Sequence, residues 1–515
     1  MRTRVLSFFL LPAVAGCPVL LAQIGTLDPT FNGNGQLRID VDLRNDRALG
    51  LTVAANGDII TSGTTSSAEG SEVLLLRIAS DGSPVAGFGD NGIVRTSFGP
   101  FNFGSGRAVL TDADNRILVA GQYAETVNDD EFVVLRYLPE GTPDNAFGSG
   151  GRVITSFAPT NDAANAMALQ PDGRIVVAGF APTGFAVARY LDNGDPDVSF
   201  STDGKVITSF GTNGAVARAV AVQPDGRIIA AGYAPGQDND AAVVRYMPDG
   251  ALDTTFGDHG KVVTVLGAND DAINALALLP DGRFYAGGTG YSFTRMFALL
   301  RYMPNGALDT TFDHDGIVML PLAPGPSAAN AMVLGSDGKV VLAGTFDSAL
   351  GADFALARFD STGAFDQTFG YAGITFTDFD GRDDVAMAAN MQSDGKLVLA
   401  GYSADSLYDV AVARYLGSSD IGFAEHSASA ARARLLPNPF VDATTLRFTL
   451  DRTGPVTLLL LDALGRNVGT FLSAERTIAG PHDIALTMPA GLSSGSYGLL
   501  LITEDHRELV RAIVR

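Results

Sequence analysis

The chain has 515 residues, enough for more than one domain, with 60 glycines, no tryptophan and only 18% charged residues. Its 57 acidic side chains outnumber 35 basic ones, and the net charge of −22 disfavours binding to nucleic acid or anionic lipid. The single cysteine, Cys17, excludes an intramolecular disulfide, and its place near the N-terminus leaves the mature chain without a thiolate nucleophile.

Residues 1–22 have the features of an export signal. Arg2 and Arg4 precede an apolar run that ends before a polar residue, so we predict cleavage between Ala22 and Gln23. The segment Val14-Ala15-Gly16-Cys17 resembles a lipoprotein processing box, so lipidation of Cys17 is the alternative. No later apolar stretch reaches the length of a membrane-spanning helix. We therefore expect a protein that is secreted or attached to the outer cell surface.

A ten-residue phrase then recurs seven times at intervals of about 56 residues. One copy is Gln170-Pro171-Asp172-Gly173-Arg174-Ile175-Val176-Val177-Ala178-Gly179. The copies end at Gly63, Gly121, Gly179, Gly232, Gly288, Gly344 and Gly401. Such a period indicates one supersecondary unit stacked seven times. We assign residues 23–415 to this repeat domain.

Two further landmarks keep the same period. One is an arginine that closes an alternating apolar run: Arg77, Arg136, Arg189, Arg245, Arg301, Arg358 and Arg414. The other is a phenylalanine, preceded three residues earlier by aspartate in six of the seven copies: Phe31, Phe88, Phe147, Phe200, Phe256, Phe312 and Phe369. Because the arginine occurs in every copy, we predict that its stem packs in the unit while its head bonds a neighbouring loop.

Each unit is predicted to contain four short strands. In the copy after residue 151, these are Arg152 to Phe157, Asn165 to Leu169, Arg174 to Ala178 and Phe185 to Tyr190. Asp172-Gly173 separates the second from the third, and such a pair favours a type I′ hairpin turn. Neighbouring strands should thus be antiparallel.

A four-stranded antiparallel meander repeated seven times favours a seven-bladed β-propeller, because radial stacking leaves only short strand edges. A parallel β-helix is the alternative, but it needs a shorter period and no Asp-Gly hairpins. If the small-residue run is the innermost strand, the chain opens with an outermost strand, Gln36 to Val41. It would share the last blade with Asp409 to Tyr415 and close the ring.

The repeats resemble the delta-60 repeat family, β-propeller units without an assigned function. Gln223-Pro224-Asp225-Gly226-Arg227 and Leu252-Asp253-Thr254-Thr255-Phe256 carry the resemblance, which covers about three quarters of the chain. The first two copies depart most, since Val85 replaces the aspartate and Asn115 the turn glycine. The resemblance implies a fold and no reaction.

Residues 416–434 are rich in serine, alanine and glycine, and we assign them to a linker. Residues 435–515 then resemble the type IX secretion sorting domain, a small C-terminal β-sandwich of exported proteins. The matching residues are Pro437, Asn438, Pro439, Phe440, Gly465, Arg466, Gly495 and Tyr497, with the basic ending Leu509 to Arg515. The resemblance implies that the type IX machinery is a partner and that this domain is removed after export. An ordinary β-sandwich binding module is the alternative.

Catalytic motifs are lacking in this sequence. The five histidines, His259, His314, His426, His482 and His506, form no metal or hydrolase motif. Asp313-His314-Asp315-Gly316 looks like part of a calcium loop but lacks the later ligand positions, so we interpret it as a turn. We assign no catalytic, cofactor-binding or metal-ligating residue.

Acidic residues concentrate in two sets of predicted connections on one face of the ring. The set between second and third strands comprises Asp129, Asp130, Asp238 and Asp240. The set leading into the innermost strand comprises Asp162, Asp270, Asp271, Asp383 and Asp384. One interpretation is a cation-assisted binding face, for which Ca²⁺ is the ion that grouped carboxylates prefer. The other is that these aspartates bond their own backbone and keep the face solvated.

We therefore expect an extracellular propeller that acts as a binding or structural module, with an unknown glycan or protein ligand. Residues that break the repeat should carry function, and three loops differ most: Thr64 to Glu72, Gln122 to Glu131, and Thr289 to Met296, which contains Tyr291, Phe293 and Arg295. A glycan-active enzyme with an acidic and tyrosine site on a propeller face is the alternative, supported by fold analogy only. A role in assembly is a third hypothesis.

Overall fold

The structure, a computed structural model, describes residues 23–67, 70–99, 101–125, 129–211, 214–322, 325–348, 351–417, 433–436, 443–450, 452–461, 467–488, 495–503 and 507–514. These residues form 35 β-strands and no helix, so the all-β prediction is confirmed. Among them no helix has the length and apolarity needed to cross a membrane. Contacts divide the chain into two compact units, one of Ile24–Asp420 and one that includes Ile421–Arg515. The predicted leader, with Cys17 and Ala22, lies outside the described residues.

Within the described residues, the first 28 strands form seven four-stranded blades. The chain begins with β1 (Gln36–Ile39). Blades 1 to 3 consist of β2 (Asn45–Val53), β3 (Ile59–Ser67), β4 (Gly70–Ile78) and β5 (Ile93–Thr96); β6 (Phe103–Thr111), β7 (Ile117–Ala124), β8 (Asp130–Tyr137) and β9 (Arg152–Thr155); and β10 (Ala163–Leu169), β11 (Ile175–Ala181), β12 (Gly184–Tyr190) and β13 (Lys205–Thr208).

Blades 4 to 6 repeat this order. They consist of β14 (Val216–Val222), β15 (Ile228–Pro235), β16 (Asn239–Tyr246) and β17 (Lys261–Thr264); β18 (Ala272–Leu278), β19 (Phe284–Tyr291), β20 (Arg295–Tyr302) and β21 (Ile317–Leu320); and β22 (Ser327–Leu334), β23 (Val340–Ser348), β24 (Gly351–Phe359) and β25 (Ile374–Thr377). Blade 7 contains β26 (Asp383–Met391), β27 (Leu397–Ala404), β28 (Tyr408–Tyr415) and β1. A single parallel bridge, Ser71 to Phe103, links blades 1 and 2.

The N-terminal strand closes the ring as the sequence predicts. β1 pairs antiparallel with β28, from Gln36 opposite Ala413 to Ile39 opposite Val410. The innermost strands β2, β6, β10, β14, β18, β22 and β26 each contact the next in this order, and β26 contacts β2. The first and last parts of the repeat domain are thereby joined in one blade.

Apolar clusters fill the junctions between blades. Val176 and Val187 of blade 3 pack with Ile228 and Val244 of blade 4, and all four are fully buried. Corresponding clusters occupy the other six junctions, including the closing one between blades 7 and 1. Each face of a blade is covered by a neighbouring blade, so both faces of the inner strands carry apolar residues. Burial of this apolar surface holds the ring together.

The predicted type I′ turns are wrong in detail. Gly173 has a φ of 84°, but Asp172 does not have a positive φ. Gly173 N donates to Gln170 O (3.0 Å), and Gln170 N donates to Arg174 O (2.8 Å). This is a type I turn followed by a left-handed residue, the three-residue hairpin loop that ends in a bulge. The longer loop admits Pro171, and it still requires glycine, or Asn115 in blade 2 (φ 60°), at its last position.

The repeated arginine has the structural role that we predicted. Arg189 Nε donates to Asp197 Oδ2 (2.7 Å), and Nη1 donates to Pro248 O of the next blade (2.6 Å). Its guanidinium lies 4.8 Å from the Phe200 ring centroid. All seven arginines stand over the repeated phenylalanine at 4.5 to 5.9 Å. The arginine and phenylalanine of each blade thus form one cluster, which includes the aspartate in every blade but the first. Six of the seven arginines also donate to a carbonyl of the adjacent blade.

Blade 1 shows how a departure from the repeat is compensated. Val85 occupies the aspartate position, so Arg77 pairs instead with Asp58 of its own blade (Nε to Oδ2, 2.9 Å). Arg77 Nη1 still donates to Pro139 O of blade 2 (2.7 Å). A carboxylate partner for the arginine is therefore kept, because a buried guanidinium without one would be costly.

The C-terminal unit has two sheets around one apolar core. One sheet has the order β29 (Ala433–Leu436), β30 (Ala443–Leu450) and β33 (Gly480–Thr487), and the other β32 (Asn467–Thr477), β31 (Gly454–Leu461), β34 (Gly495–Ile502) and β35 (Arg507–Val514). Leu446 and Phe448 of the first sheet are buried with Leu458 and Leu499 of the second. β29 includes Ala433 and Arg434, which we had assigned to the linker.

Candidate functional site

Seven β-bulges line the centre of the ring. Each innermost strand has a register shift at its middle, as between Ala164 and Ala166 of β10. The extra residue does not pair with the second strand, and its side chain is at least partly exposed. We call these residues the bulge ring: Leu49, Arg107, Asn165, Arg218, Asn274, Asn330 and Met387. All seven line one cavity of about 1200 Å³, the central channel of the propeller.

The repeated glycine makes each bulge possible. A Cβ on Gly179 would lie 1.9 Å from Ala163 O on the bulged strand. At all seven repeated glycines, the corresponding distance to a backbone oxygen is 1.8 to 2.0 Å. Only a residue without a side chain allows the inner strand to press this closely and to turn one residue toward the channel. The glycine that is repeated in all seven blades thus makes possible the bulge ring, whose residues vary between blades.

The bulge ring is polar on one side and apolar on the other. Blades 2 to 6 contribute two arginines and three asparagines, whereas blades 7 and 1 contribute Met387 and Leu49. One mouth of the channel is formed by Thr160 and Asn161, which lead into β10, and by Pro182, which follows β11. A ligand in the channel would therefore meet hydrogen-bond donors on one side and an apolar wall on the other.

The polar side chains of the ring bond to the next blade. Asn165 Nδ2 donates to Ala217 O (2.8 Å), Asn274 Nδ2 to Ala329 O (2.7 Å), and Asn330 Nδ2 to Ala386 O (2.8 Å). The two arginines donate to the asparagine that follows each of them around the ring. These bonds orient the asparagines, so that the direction of their amide oxygens is set by the scaffold.

Arg107 lies inside the channel with few partners. Nη1 donates to Asn165 Oδ1 (3.1 Å) and Nη2 to Gln122 Oε1 (2.6 Å). The surrounding protein lowers the pKa of Arg107 from its usual value, the Asp130 carboxylate partly offsets this, and Arg218 adds to the lowering. The residue stays charged at neutral pH, since arginine is always protonated in proteins. The two guanidinium groups are close enough to repel each other.

Arg218 is the second cation of the channel. Nη1 donates to Asn274 Oδ1 (2.9 Å), and the guanidinium lies 4.9 Å from the ring centroid of Tyr233, which also lines the channel. No described carboxylate lies within 4.0 Å of Arg107 or Arg218, whereas each repeated arginine has such a partner. The channel thus contains two positive charges without a direct ion pair among the described residues, and Asp130 acts on Arg107 only from a longer distance.

The sequence analysis did not select the bulge ring. Each of its residues stands 14 positions before a repeated glycine, where the seven copies carry arginine, asparagine, leucine or methionine. That variation at a fixed position within a regular repeat was the signal that could have identified the site. The strand assignment hid it, because a bulge cannot be seen from alternation alone.

The acidic residues selected from the sequence have several roles. Asp162, Asp271 and Asp384, with Asp46 at the same position, are fully buried just before or within the inner strands. Each accepts a backbone hydrogen bond from a residue five positions earlier; Phe157 N to Asp162 Oδ2 measures 2.8 Å. Burial raises the pKa of Asp162 to about 6 despite these bonds. These aspartates hold their own loops through backbone hydrogen bonds.

The other acidic residues lie at the same face and are partly or fully exposed: Asp129, Asp130, Asp238, Asp240, Asp270 and Asp383. Asp270 Oδ1 accepts from Asn239 N (3.1 Å), and Asp383 Oδ1 from Ala352 N (3.1 Å), so the two sets of loops are in contact at these points. Asp384 also approaches two acidic residues that the sequence analysis did not select. Pro437, Asn438, Pro439, Phe440, Gly465 and Arg466 lie outside the described residues.

The variable loop Thr289 to Met296 projects away from the repeat. Phe293 at its tip is 97% exposed, and Arg295 lies 3.7 Å from Asp347. His259 and His314 are exposed in loops with positive φ, each beside its preceding aspartate. These residues do not line the channel.

Comparison with known proteins finds a family model that resembles the repeats. Six segments match the model of a family described as a domain of unknown function (DUF5122) beta-propeller: residues 113–147, 170–200, 223–256, 279–312, 335–369 and 392–420. The chain is a repeat β-propeller. The family has no assigned function, and no curated protein matches the chain.

Several solved structures are similar to this chain at low identity. A protein of unknown function from Dyadobacter fermentans is 11% identical, with a TM-score of 0.38 over 60% of this chain and 93% of its own. The polysaccharide lyase Uly1 is 11% identical, with a TM-score of 0.39 over 72% and 90%. A puromycin hydrolase is 14% identical, with a TM-score of 0.40 over 84% and 62%. At these TM-scores the likenesses carry no argument about function.

Proposed function

We propose that the propeller is a binding module that takes a small organic anion into its central channel. The single observation that carries this proposal is the pair Arg107 and Arg218, two channel cations without a carboxylate within 4.0 Å among the described residues. A guanidinium binds a carboxylate or sulfate through two parallel hydrogen bonds. A bound anion would also relieve the repulsion between the two arginines.

The rest of the channel narrows the chemistry of the ligand. The asparagine amides can bond hydroxyl groups, and the opposite wall with Leu49 and Met387 is apolar. An acidic sugar combines an anionic group, hydroxyls and an apolar ring face. The net charge of −22 repels long polyanions, so a short oligosaccharide with few charges fits better than a polymer.

The test is calorimetric titration of residues 23–515 with a trigalacturonate, beside glucose oligomers of the same length. We expect binding of the acidic sugar only, and a loss of at least about tenfold in affinity when Arg107→Gln and Arg218→Gln are combined. Arg152→Gln is the matched control, because Arg152 is exposed on the outermost strand β9. Equal affinity of the double variant and the control would refute the proposal.

A product assay on the same sugar separates binding from the glycan-active alternative. If the acidic oligosaccharide is recovered intact after long incubation, the binding role stands. Release of shorter fragments that depends on Arg107 and Arg218 would replace it by the enzymatic hypothesis. Inorganic phosphate and sulfate serve as further probes, and preference for them over the sugar would shift the ligand class to simple anions.

We also propose that the chain is exported by the type IX route and that this module acts outside the cell. Support comes from the resemblance of residues 435–515 to the sorting domain and from the division of the chain into two compact units, one of which includes these residues. Fractionation of the native host should find the propeller without its last 80 or so residues at the surface or in the medium. A chain that ends at Tyr415 should stay in the periplasm, and intact chain in the cytoplasm would contradict export.

A further inference from the structure

Three carboxylates meet at the junction of blades 6 and 7. Asp353 comes from β24, Asp378 follows β25, and Asp384 lies near the start of β26. One carboxylate oxygen from each lies within 4.8 Å of the others. No described lysine or arginine forms an ion pair with any of the three within 4.0 Å. We call this group the junction triad.

A buried polar pair points into the junction triad. Asp384 is fully buried; its Oδ2 accepts from Phe379 N (2.6 Å), but its Oδ1 has no hydrogen bond of normal geometry within the described chain. The Ser403 hydroxyl lies beside this carboxylate on the paired strand β27, is 1% exposed, and faces it without a hydrogen bond of normal geometry. Asp46 Oδ1 and Thr65 Oγ1 form the same pair at the next junction. Because buried polar atoms are nearly always paired, each junction has a buried carboxylate oxygen that is open to a further partner.

The neighbouring junction offers a built-in comparison. Asp40, Asp46 and Asp409 occupy the same repeat positions between blades 7 and 1 and form an equally close group. There, Arg38 Nε lies 3.0 Å from Asp409 Oδ2 and supplies a positive charge. The residue at the Arg38 position in blade 6 is Phe376, which is 47% exposed. The junction triad therefore has the carboxylates of its counterpart without the counter-charge.

We propose that the junction triad binds a divalent cation, with Ca²⁺ as the ion of best fit. Ca²⁺ takes oxygen ligands at about 2.3 to 2.6 Å, so ligands on opposite sides of one ion lie roughly 5 Å apart. Three oxygens within 4.8 Å can thus surround a single Ca²⁺ with little movement. Mg²⁺ requires shorter distances and near-octahedral geometry, which a wider group of carboxylates provides less well.

The ligands of the site hold complementary positions. Asp378 is exposed, and its Oδ1 accepts from Gly381 N (2.6 Å), which leaves the second oxygen for the ion. Asp384 supplies the buried Oδ1, and Asp353 the third carboxylate. The ion would connect the outer strand of blade 6 to the inner strand of blade 7, and this role does not depend on a ligand in the channel.

The experiment titrates calcium chloride into chelator-treated residues 23–515 by calorimetry and follows the melting temperature. We expect one Ca²⁺ per chain with a Kd in the range of about 0.1 to 1 mM, typical of extracellular modules, and a higher melting temperature with Ca²⁺. Asp378→Asn keeps the acceptor for Gly381 N and should weaken binding at least tenfold. Asp40→Asn, at the same position in the neutralised group, is the matched control and should leave binding unchanged.

Two further substitutions exchange the residues found at the Arg38 and Phe376 positions, and they test whether the missing counter-charge decides Ca²⁺ binding. Phe376→Arg should abolish Ca²⁺ binding, because it places the counter-charge of the neighbouring junction beside the triad. Arg38→Phe should create a second Ca²⁺ site at Asp40, Asp46 and Asp409. Absence of Ca²⁺ binding to the parent chain at 10 mM would overturn the proposal, as would equal affinities of Asp378→Asn and the parent. Loss of binding in Asp40→Asn alone would assign the ion to the other junction and would overturn it too.

Discussion

The repeated glycines should be intolerant of even one methyl group, and Gly179→Ala tests this directly. The added Cβ would lie 1.9 Å from Ala163 O, whereas an ordinary contact is about 3.4 Å or more, so the strands must separate by about 1.5 Å. Overpacking of this kind costs about 1 to 3 kcal/mol. Loss of a ladder hydrogen bond adds about 1 kcal/mol. We expect the free energy of unfolding to fall by about 3 kcal/mol.

Two other glycines separate the steric effect from backbone strain. At Gly173, an added Cβ would meet only Asp192 Cβ at an ordinary 3.9 Å, but the φ is 84°, so Gly173→Ala should cost roughly 1 to 2 kcal/mol from the left-handed backbone alone. Gly87→Ala has open space and no positive φ, and should stay within about 0.5 kcal/mol of the parent. Urea unfolding followed by tyrosine fluorescence measures all three, since the chain has no tryptophan. If Gly179→Ala is as stable as Gly87→Ala, the close approach at the bulge is not required.

Three further predictions concern stability. Arg136→Ala removes the one described ion-pair partner of the buried Asp144 carboxylate and should cost about 3 to 5 kcal/mol in urea unfolding, whereas the exposed Arg295→Ala should cost almost nothing. Burial raises the pKa of Asp162 to about 6 in the folded chain, so its contribution to stability is complete below pH 3.8 and is lost as pH rises to about 6. Asp162→Asn should therefore lose less stability than the parent between pH 4 and 6.5, and an identical pH profile would contradict this. Deletion of residues 23–41 removes β1 and exposes the edge of β28, so the shortened chain should aggregate in size-exclusion chromatography, and a monomer with the parent's melting temperature would refute closure by β1.

Much of the fold could be predicted from the sequence because each repeated residue has one physical task in every blade. The period and the paired strands followed from Asp-Gly turns and alternation, and the placement of β1 beside β28 followed from the order of strands in the unit. The turn type was predicted wrongly, because the hairpin loop contains three residues, Pro171, Asp172 and Gly173, whereas a type I′ hairpin loop contains two.

The candidate sites were less accessible to sequence reasoning for a different reason. Asp384 was selected, but its partners Asp353 and Asp378 come from two other strands, and only the stacking of blades brings the three together. Arg107 and Arg218 stand in the same position of blades 2 and 4, yet nothing in the local sequence shows that this position faces the channel. The decisive fact is a backbone bulge, and a bulge changes which face a side chain occupies without changing the pattern of residue types.

Within each repeat, some residues make structural contacts and one residue faces the channel, and this difference explains why a ligand is expected in the channel. The glycine, the arginine, the aspartate and the phenylalanine are each committed to contacts within or between blades, so a change at any of them destabilises the ring. The bulge residue is different, because it neither pairs with the second strand nor fills the apolar core, and its side chain can change without loss of the scaffold. Seven such positions converge on one cavity, five of them polar and two apolar. Selection for a ligand would vary the residue type at such a structurally free position and would keep the structural positions constant. This is the physical reason to look for the ligand at Arg107 and Arg218.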